Sequence, residues 1–243
     1  MFEQSNNQYF TTSGSQTAAV AKTFMAQVFA WMTLAMVVTA VTAYLFATNG
    51  SLITTLINIE TGGLTGLGWI VTLAPIGFVL LMSFGFQRLS PAILTLLFVT
   101  FSVLMGMSLS FILLVYTAAS VYKTFAVTAA MFGVMAVTGY TTKTDLTKFG
   151  SIMMMGLIGL MIAMLVNFFL KSGTMDYIIS IIGVLIFTGL TAYDVQRLKN
   201  IGANAGEYGA DNARKMSIMG ALTLYLDFIN LFIFLLRFLG DRK

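Results

Sequence analysis

Cysteine and histidine are both absent from the 243 residues. Without cysteine there is no disulfide framework, thiolate nucleophile or thiolate metal site, and without histidine no imidazole base or ligand. The Ser-His, Cys-His and zinc chemistries are excluded together. Charge is scarce as well. Asp, Glu, Lys and Arg make up 9% of the chain, where a soluble domain carries roughly 25%. Thirteen basic and nine acidic side chains cannot coat a domain of this length, so the missing polar surface must be lipid. A soluble fold is excluded. The net charge of +4 lacks the concentrated basic patches of a nucleic-acid binder, so no nucleic-acid partner is expected, and the partner implied is the bilayer.

What is present is apolar sequence in long runs, 58% of the chain being hydrophobic. At 1.5 Å per residue, a hydrocarbon core of roughly 30 Å needs about 20 such residues. Seven stretches qualify, near 24–47, 69–87, 91–116, 121–141, 150–170, 176–198 and 216–239. None shows the ten-residue alternation of a membrane barrel, so the expected class is an all-α protein of seven transmembrane helices. Residues 1–21 are rich in Ser, Thr, Gln and Asn and carry no apolar period, which predicts a polar tail before a single membrane domain over 22–243. The tail does not read as a signal peptide: no Lys or Arg precedes Lys22, and the apolar stretch after it exceeds the roughly 7–15 residues of a cleavable segment.

Pro91 falls at a helix start, where its missing N–H costs nothing, while Pro75 with Gly77 falls inside the second span and predicts a kink. Ser102, Gly106 and Ser110 recur every four residues, a face on which another helix can approach closely. The polar stretch between the last two spans, 199–215, holds Gly202, Gly206 and Gly209 and no P-loop Lys-Ser/Thr, and reads as a flexible connection.

Basic residues alternate between the two sides. With a cytoplasmic N-terminus, that side holds Lys22, Arg88, Lys143, Lys148, Arg197, Lys199, Arg214 and Lys215, and the other Lys123 and Lys171. The rule that cytoplasmic loops are the positive ones therefore orients the N-terminus inward. Arg237, Arg242 and Lys243 run against it at the end of the seventh span, and a re-entrant last helix would bring them back inside.

Most acids sit in loops or at span ends. Asp227, twelve residues after Lys215 and ten before Arg237, lies roughly 15 Å from either end of its span, near the bilayer midplane. An aspartate there costs about 2.5–3.5 kcal/mol on insertion scales, so it should face the bundle interior and be protonated or paired. Gly220, Thr223, Asp227, Asn230 and Arg237 fall at helical spacing, which predicts a polar face turned inward on a helix at the bundle centre. Asp194 lies near the cytoplasmic end of the sixth span, three residues before Arg197; on position alone it reads first as a membrane-boundary ion pair. For Asp227 the plain alternative is a structural interhelical hydrogen bond, and Asn167 in the fifth span is expected to make one. Straight helices leave the two aspartates one to two turns apart in depth, a gap that a tilt or break would close. Two carboxylates brought together in a poorly hydrated site cannot both ionise cheaply, so such a pair shares a proton, and it can sense pH, bind a hard cation such as Ca²⁺, or activate water. Arg88 is a candidate third member, with a membrane anchor as its ordinary role.

The segments TGLTAYDVQRL (188–198) and LTLYLDFINLFIFLLRFLG (222–240) resemble the signature of the Bax inhibitor-1 family, and the seven-span layout is similar to that of its bacterial members. The resemblance implies six helices around a central, polar seventh, and a hydrogen-bonded pair formed by Asp194 and Asp227 that governs a pH-sensitive calcium leak. An arginine late in the second helix is implicated too, and Arg88 matches by position. Thr191, Thr223 and Asn230 are the expected lining or supporting residues, Ca²⁺ is the permeant ion, and no cofactor or catalytic residue is expected. A bacterial plasma membrane is the expected location. Two other classes remain open at this point. A regulator of a membrane protease or cell-death partner would leave the aspartates idle. An intramembrane aspartyl protease would use them, but would carry Gly-x-Gly-Asp where Leu224, Tyr225, Leu226 and Asp227 stand.

Overall fold

The computed structural model describes the backbone of residues 3–58 and 61–243, with side chains from 19 onward. The helices are α1 (Glu3–Thr48), α2 (Gly50–Leu56), α3 (Gly66–Gly85), α4 (Pro91–Val115), α5 (Ala118–Thr141), α6 (Thr147–Leu170), α7 (Gly173–Ala203) and α8 (Ala210–Leu239). Seven of them are long and apolar enough to cross a membrane among the described residues, α2 being the short one. The helix starts follow local chemistry: Thr65, Ser90, Thr117 and Ser172 each cap a first turn by accepting from a backbone N–H, and Pro91 takes the first position of α4. Pro75 is buried inside α3, which runs on through it.

The polar tail expected over 1–21 falls largely outside the described side chains. Backbone helix already begins at Glu3, and Ala21 is buried. The stretch 199–215 is shorter as a connection than its composition suggested. α7 continues to Ala203, a 3-10 turn takes Ala205–Tyr208, and Gly209, at φ 77°, turns the chain directly into α8. α8 then runs 30 residues without a break, about 45 Å, which is a full crossing by length.

α8 packs against α1, α4, α5 and α7, and 72% of its apolar window is buried against 6% for α6. It is the central helix. Its deepest side, however, is apolar, where a polar side was expected. Leu224, Tyr225, Phe228, Leu231 and Leu235 are buried there, with Phe98 and Phe101 of α4 edge-on to Tyr225 and Phe125 and Phe132 of α5 edge-on to Phe228. Close-packed rings fill a helix junction better than polar groups that would each need a partner.

The small-residue stripe of α4 meets α1. A Cβ on Gly106 would lie 2.6 Å from the Thr39 carbonyl oxygen and from Thr42 Cβ, so only glycine allows this approach. Thr39 Oγ1 there bonds the Ser102 carbonyl at 2.9 Å and the Tyr225 hydroxyl at 2.7 Å, tying α1, α4 and α8 at one buried point.

The last residues close back on the α4–α5 turn. Lys243 N donates to the Val115 carbonyl, Thr117 N donates to that of Asp241, and Ser120 Oγ donates to Asp241 Oδ2 while accepting from Asp241 N. Arg242 lies over the Tyr116 ring, Lys243 Nζ donates to the Leu113 carbonyl, and Arg237 pairs with Asp176. The three cations that ran against the charge rule are thus engaged in local contacts.

Candidate functional site

α7 and α8 run antiparallel. Leu198 faces Gly220, Asp194 meets Asp227, Gly183 seats Phe234, and Asp176 pairs with Arg237. α6 runs antiparallel to α7, Gly156 facing Ile186 and Gly189 facing Phe149 and Met153. α6 packs on α7 and stands off from α8. The gap this leaves is a cavity of about 630 Å³, whose walls include Asp194, Asp227, Thr223, Asn230, Arg197 and Arg237.

Asp194 and Asp227 are buried to 7% and 5% exposure, and their carboxyl groups lie within hydrogen-bonding reach of each other. Neither α7 nor α8 is broken near them, and the antiparallel register that sets Leu198 on Gly220 and Phe234 on Gly183 also brings the two carboxyl groups together. A hydrogen bond between two carboxyl groups requires a proton on one of them, because an ionised carboxylate has no donor. The second oxygen of Asp227, Oδ2, is buried with no hydrogen-bond partner among the described residues. A buried acceptor left without a donor is costly, which favours a proton, a donor or a cation at that position.

Thr223 and Asn230 line the same cavity. Each uses a donor within α8, Thr223 Oγ1 on the Met219 carbonyl at 3.1 Å and Asn230 Nδ2 on that of Leu226 at 2.8 Å, and each keeps a side-chain oxygen able to accept. Thr191 is fully buried and bonds back to the Phe187 carbonyl. It is not among the residues that line the cavity, its side chain being enclosed by the packing around α7. Asn167 does not reach another helix: its Oδ1 accepts from Ser172 N and closes the end of α6.

Arg88 sits exposed in the turn after α3. It is not among the cavity-lining residues and makes no ion pair among the described residues. α3 packs on α2 and α4, away from the α7–α8 seam. The cation beside the pair is Arg197, one turn along α7, which lines the cavity and acts electrostatically on Asp194. Its spacing from Asp194 was visible in the sequence, but that spacing also fits an anchor. Met154, Leu157, Met161 and Met164 form the α6 wall at three- and four-residue spacing. Nothing separated them beforehand from the other apolar faces of α6. Among the described residues no three acids gather into a metal cluster.

On the water-facing side, Gln196 holds the α5–α6 turn, accepting from Leu146 N and donating to the Thr144 carbonyl. Asp145 in that turn is held below the ordinary carboxylate range, first by the Thr147 hydroxyl and then by the Thr147 N–H.

A family model described as inhibitor of apoptosis-promoting Bax1 matches residues 21–243. The inner membrane protein YbhL of Escherichia coli K12 is 47% identical over 228 residues, covering 94% of this chain and 95% of that protein. An uncharacterized protein of Rickettsia prowazekii is 42% identical over 224 residues, 90% of each chain. An uncharacterized membrane protein of Streptococcus pyogenes is 44% identical over 155 residues, 63% of this chain and 66% of that one.

Proposed function

The chain belongs to the Bax inhibitor-1 family, and from that premise we propose that it is a passive, pH-sensitive leak for Ca²⁺ or similar cations, gated by Asp194 and Asp227 sharing one proton. The observation that carries this reading is the buried carboxyl pair on a cavity wall with Asp227 Oδ2 left unpartnered. Ca²⁺ takes six to eight oxygen ligands. Two carboxyl groups with Thr223 and Asn230 beside them supply fewer, and water would make up the rest, which suits a transit position for cargo better than a resident ion. Release of the shared proton adds charge in a poorly hydrated place and alters the hydrogen bond that joins α7 to α8. Arg197 is placed to compensate that charge.

We place the protein in a bacterial inner membrane with its N-terminus cytoplasmic, on the charge count above. The engagement of Arg237, Arg242 and Lys243 in contacts at their own end supports this orientation, since these cations have structural partners there. The test is Ca²⁺ flux into liposomes containing this protein alone, at pH values from about 6 to 8. Flux above protein-free liposomes that changes with pH is expected. Flux equal to that of empty liposomes at every pH would overturn the leak and leave a regulator of another membrane protein as the better reading.

A further inference from the structure

Among the described residues the buried charged side chains are Asp194, Asp227 and Lys215. The aspartates meet each other, whereas Lys215, 7% exposed on the second turn of α8, has no such partner. Its Nζ lies 5.1 Å from the centroid of the Phe86 ring and makes no hydrogen bond or ion pair among the described residues. Lys199 provides the contrast. It lies 5.0 Å from the centroid of Tyr140 and also donates to the Tyr140 carbonyl at 2.8 Å. Lys215 has the ring without the oxygen. An ammonium carries three donors, and a cation in packed surroundings is costly until an anion or acceptor meets it. The nitrogen is not sealed in, because Asp227 Oδ2 is the unpartnered side-chain atom that is fully enclosed among the described residues.

Phe86 belongs to the turn between α3 and α4, and that turn is positive. Arg88, two residues on, is exposed and has no ion pair among the described residues. The Arg88 and Leu89 N–H groups both donate to the Gly85 carbonyl, which fixes the turn. α4 starts directly after it: Ser90 accepts from Ile93 N, and Pro91 has no N–H to give. Ala92 N–H is left for an outside acceptor at the positive end of the helix dipole. No acidic residue occurs between Glu60 and Asp145, so α3, the turn and α4 supply no counterion. Asp211, one turn before Lys215 on α8, is exposed and pairs with nothing among the described residues.

We propose that Lys215 and Arg88, with the N-terminus of α4, hold the phosphate of an anionic phospholipid in the leaflet on this side, the cytoplasmic one in the orientation above. Depth selects a lipid over a free anion. Lys215 stands twelve residues before Asp227 on an unbroken helix, roughly 18 Å along it at 1.5 Å per residue. With Asp227 near the midplane, that is the headgroup layer, roughly 15–22 Å from the bilayer centre. Phe84, 84% exposed at the end of α3, offers the acyl chains an apolar face beside the charges. Basic groups set between helices at this level are suited to lipid headgroups. None of these residues lines the cavity beside Asp194 and Asp227, so the site stands apart from the leak.

Native mass spectrometry of the full chain, released from micelles holding phosphatidylglycerol and phosphatidylcholine in equal amounts, reads retained lipid without any flux measurement. Phosphatidylglycerol should be retained over phosphatidylcholine by about fivefold or more. Lys215→Met, which keeps the stem and removes the charge, should bring that ratio close to one, while Lys215→Arg keeps it. Lys143→Gln, which removes an exposed cation from the α5–α6 turn on the same side, should leave it unchanged. If Lys215→Met does not elute as a single species, Arg88→Gln replaces it, with a smaller fall of the same sign expected. Equal retention of the two lipids by the unaltered protein would overturn the site, and so would an equal fall in Lys143→Gln, which would mark diffuse surface attraction. Loss of the retained lipid after incubation with an equal concentration of inorganic phosphate would assign the cations to a free anion and overturn the lipid.

Discussion

Asp227 meets Asp194 across the α7–α8 seam, each buried, with one oxygen of Asp227 left without a partner. On the proposed function the two carboxyl groups share one proton, which makes the pair the most direct place to interrupt pH dependence. Asp194→Asn and Asp227→Asn keep the hydrogen-bonding shape and remove a titratable group. Each should flatten the pH profile of Ca²⁺ flux between about pH 6 and 8, and Asp227→Asn should also lower the flux. Asp145→Asn is the control. Its carboxyl group is held low by Thr147, so any stability from its ionisation is complete above the ordinary carboxylate range and is lost only as pH falls through it. The flux profile should not move. Unaltered profiles in both aspartate variants would make the pair structural.

The resemblance points to Arg88 as the latch on the pair, whereas the structure puts Arg197 beside it. Arg197→Ala removes the neighbouring cation and should change flux most at the pH where the pair begins to lose its proton. Arg88→Ala raises flux at a quiet pH if the turn after α3 swings onto the pair during gating. Unchanged flux with normal expression would return Arg88 to an anchoring role. Measuring both variants across one pH series separates the two assignments.

The Thr39–Tyr225 contact joins three helices, and Thr39 keeps its bond to the Ser102 carbonyl when the phenol is removed. Tyr225→Phe should therefore cost only about 0.5–1.5 kcal/mol, while Tyr225→Ala, which also empties the space edge-on to Phe98 and Phe101, should cost about 3–5 kcal/mol. Thermal unfolding in detergent, compared at one protein concentration, gives the ranking. Equal losses would mean that the hydroxyl carries the stability of this junction.

Residues 241–243 clasp the α4–α5 turn through two backbone hydrogen bonds and the Ser120–Asp241 exchange. Deleting them frees Thr117 N, whose acceptor is the Asp241 carbonyl. Hydrogen exchange at Thr117 should then rise to the rate of an open turn, with little change at buried amides in mid-span. Protection that persists at Thr117 would show that the clasp does not hold this turn closed.

The seven spans were legible because lipid leaves a helix one way to satisfy its backbone, and the length needed to cross is fixed. Pro91 and Leu239 stand where the apolar runs begin and end, whereas α1 starts well before residue 24, α7 runs on to Ala203 and α8 starts already at Ala210, because helix continues past the hydrocarbon where polar residues can meet water. The close-approach stripe of Ser102, Gly106 and Ser110 was legible for a similar local reason: small residues at one helical spacing can serve only as a contact face. Asp194 and Asp227 stood out because acids in apolar runs are costly wherever the helix turns.

What the sequence by itself determined, then, was the class of fold and the two acids that demand a partner, since both follow from the cost of polar groups in hydrocarbon. Which groups became partners was decided only by the packing. The antiparallel pairing of two continuous helices brought Asp194 to Asp227, α8 turned its aromatic side to the centre, and α6 stood off to leave the cavity. Arg197 and Phe234 acquired their places beside that cavity because α7 and α8 run antiparallel in one particular register. Such a register depends on contacts between residues far apart in the chain, and no periodicity within either helix specifies it.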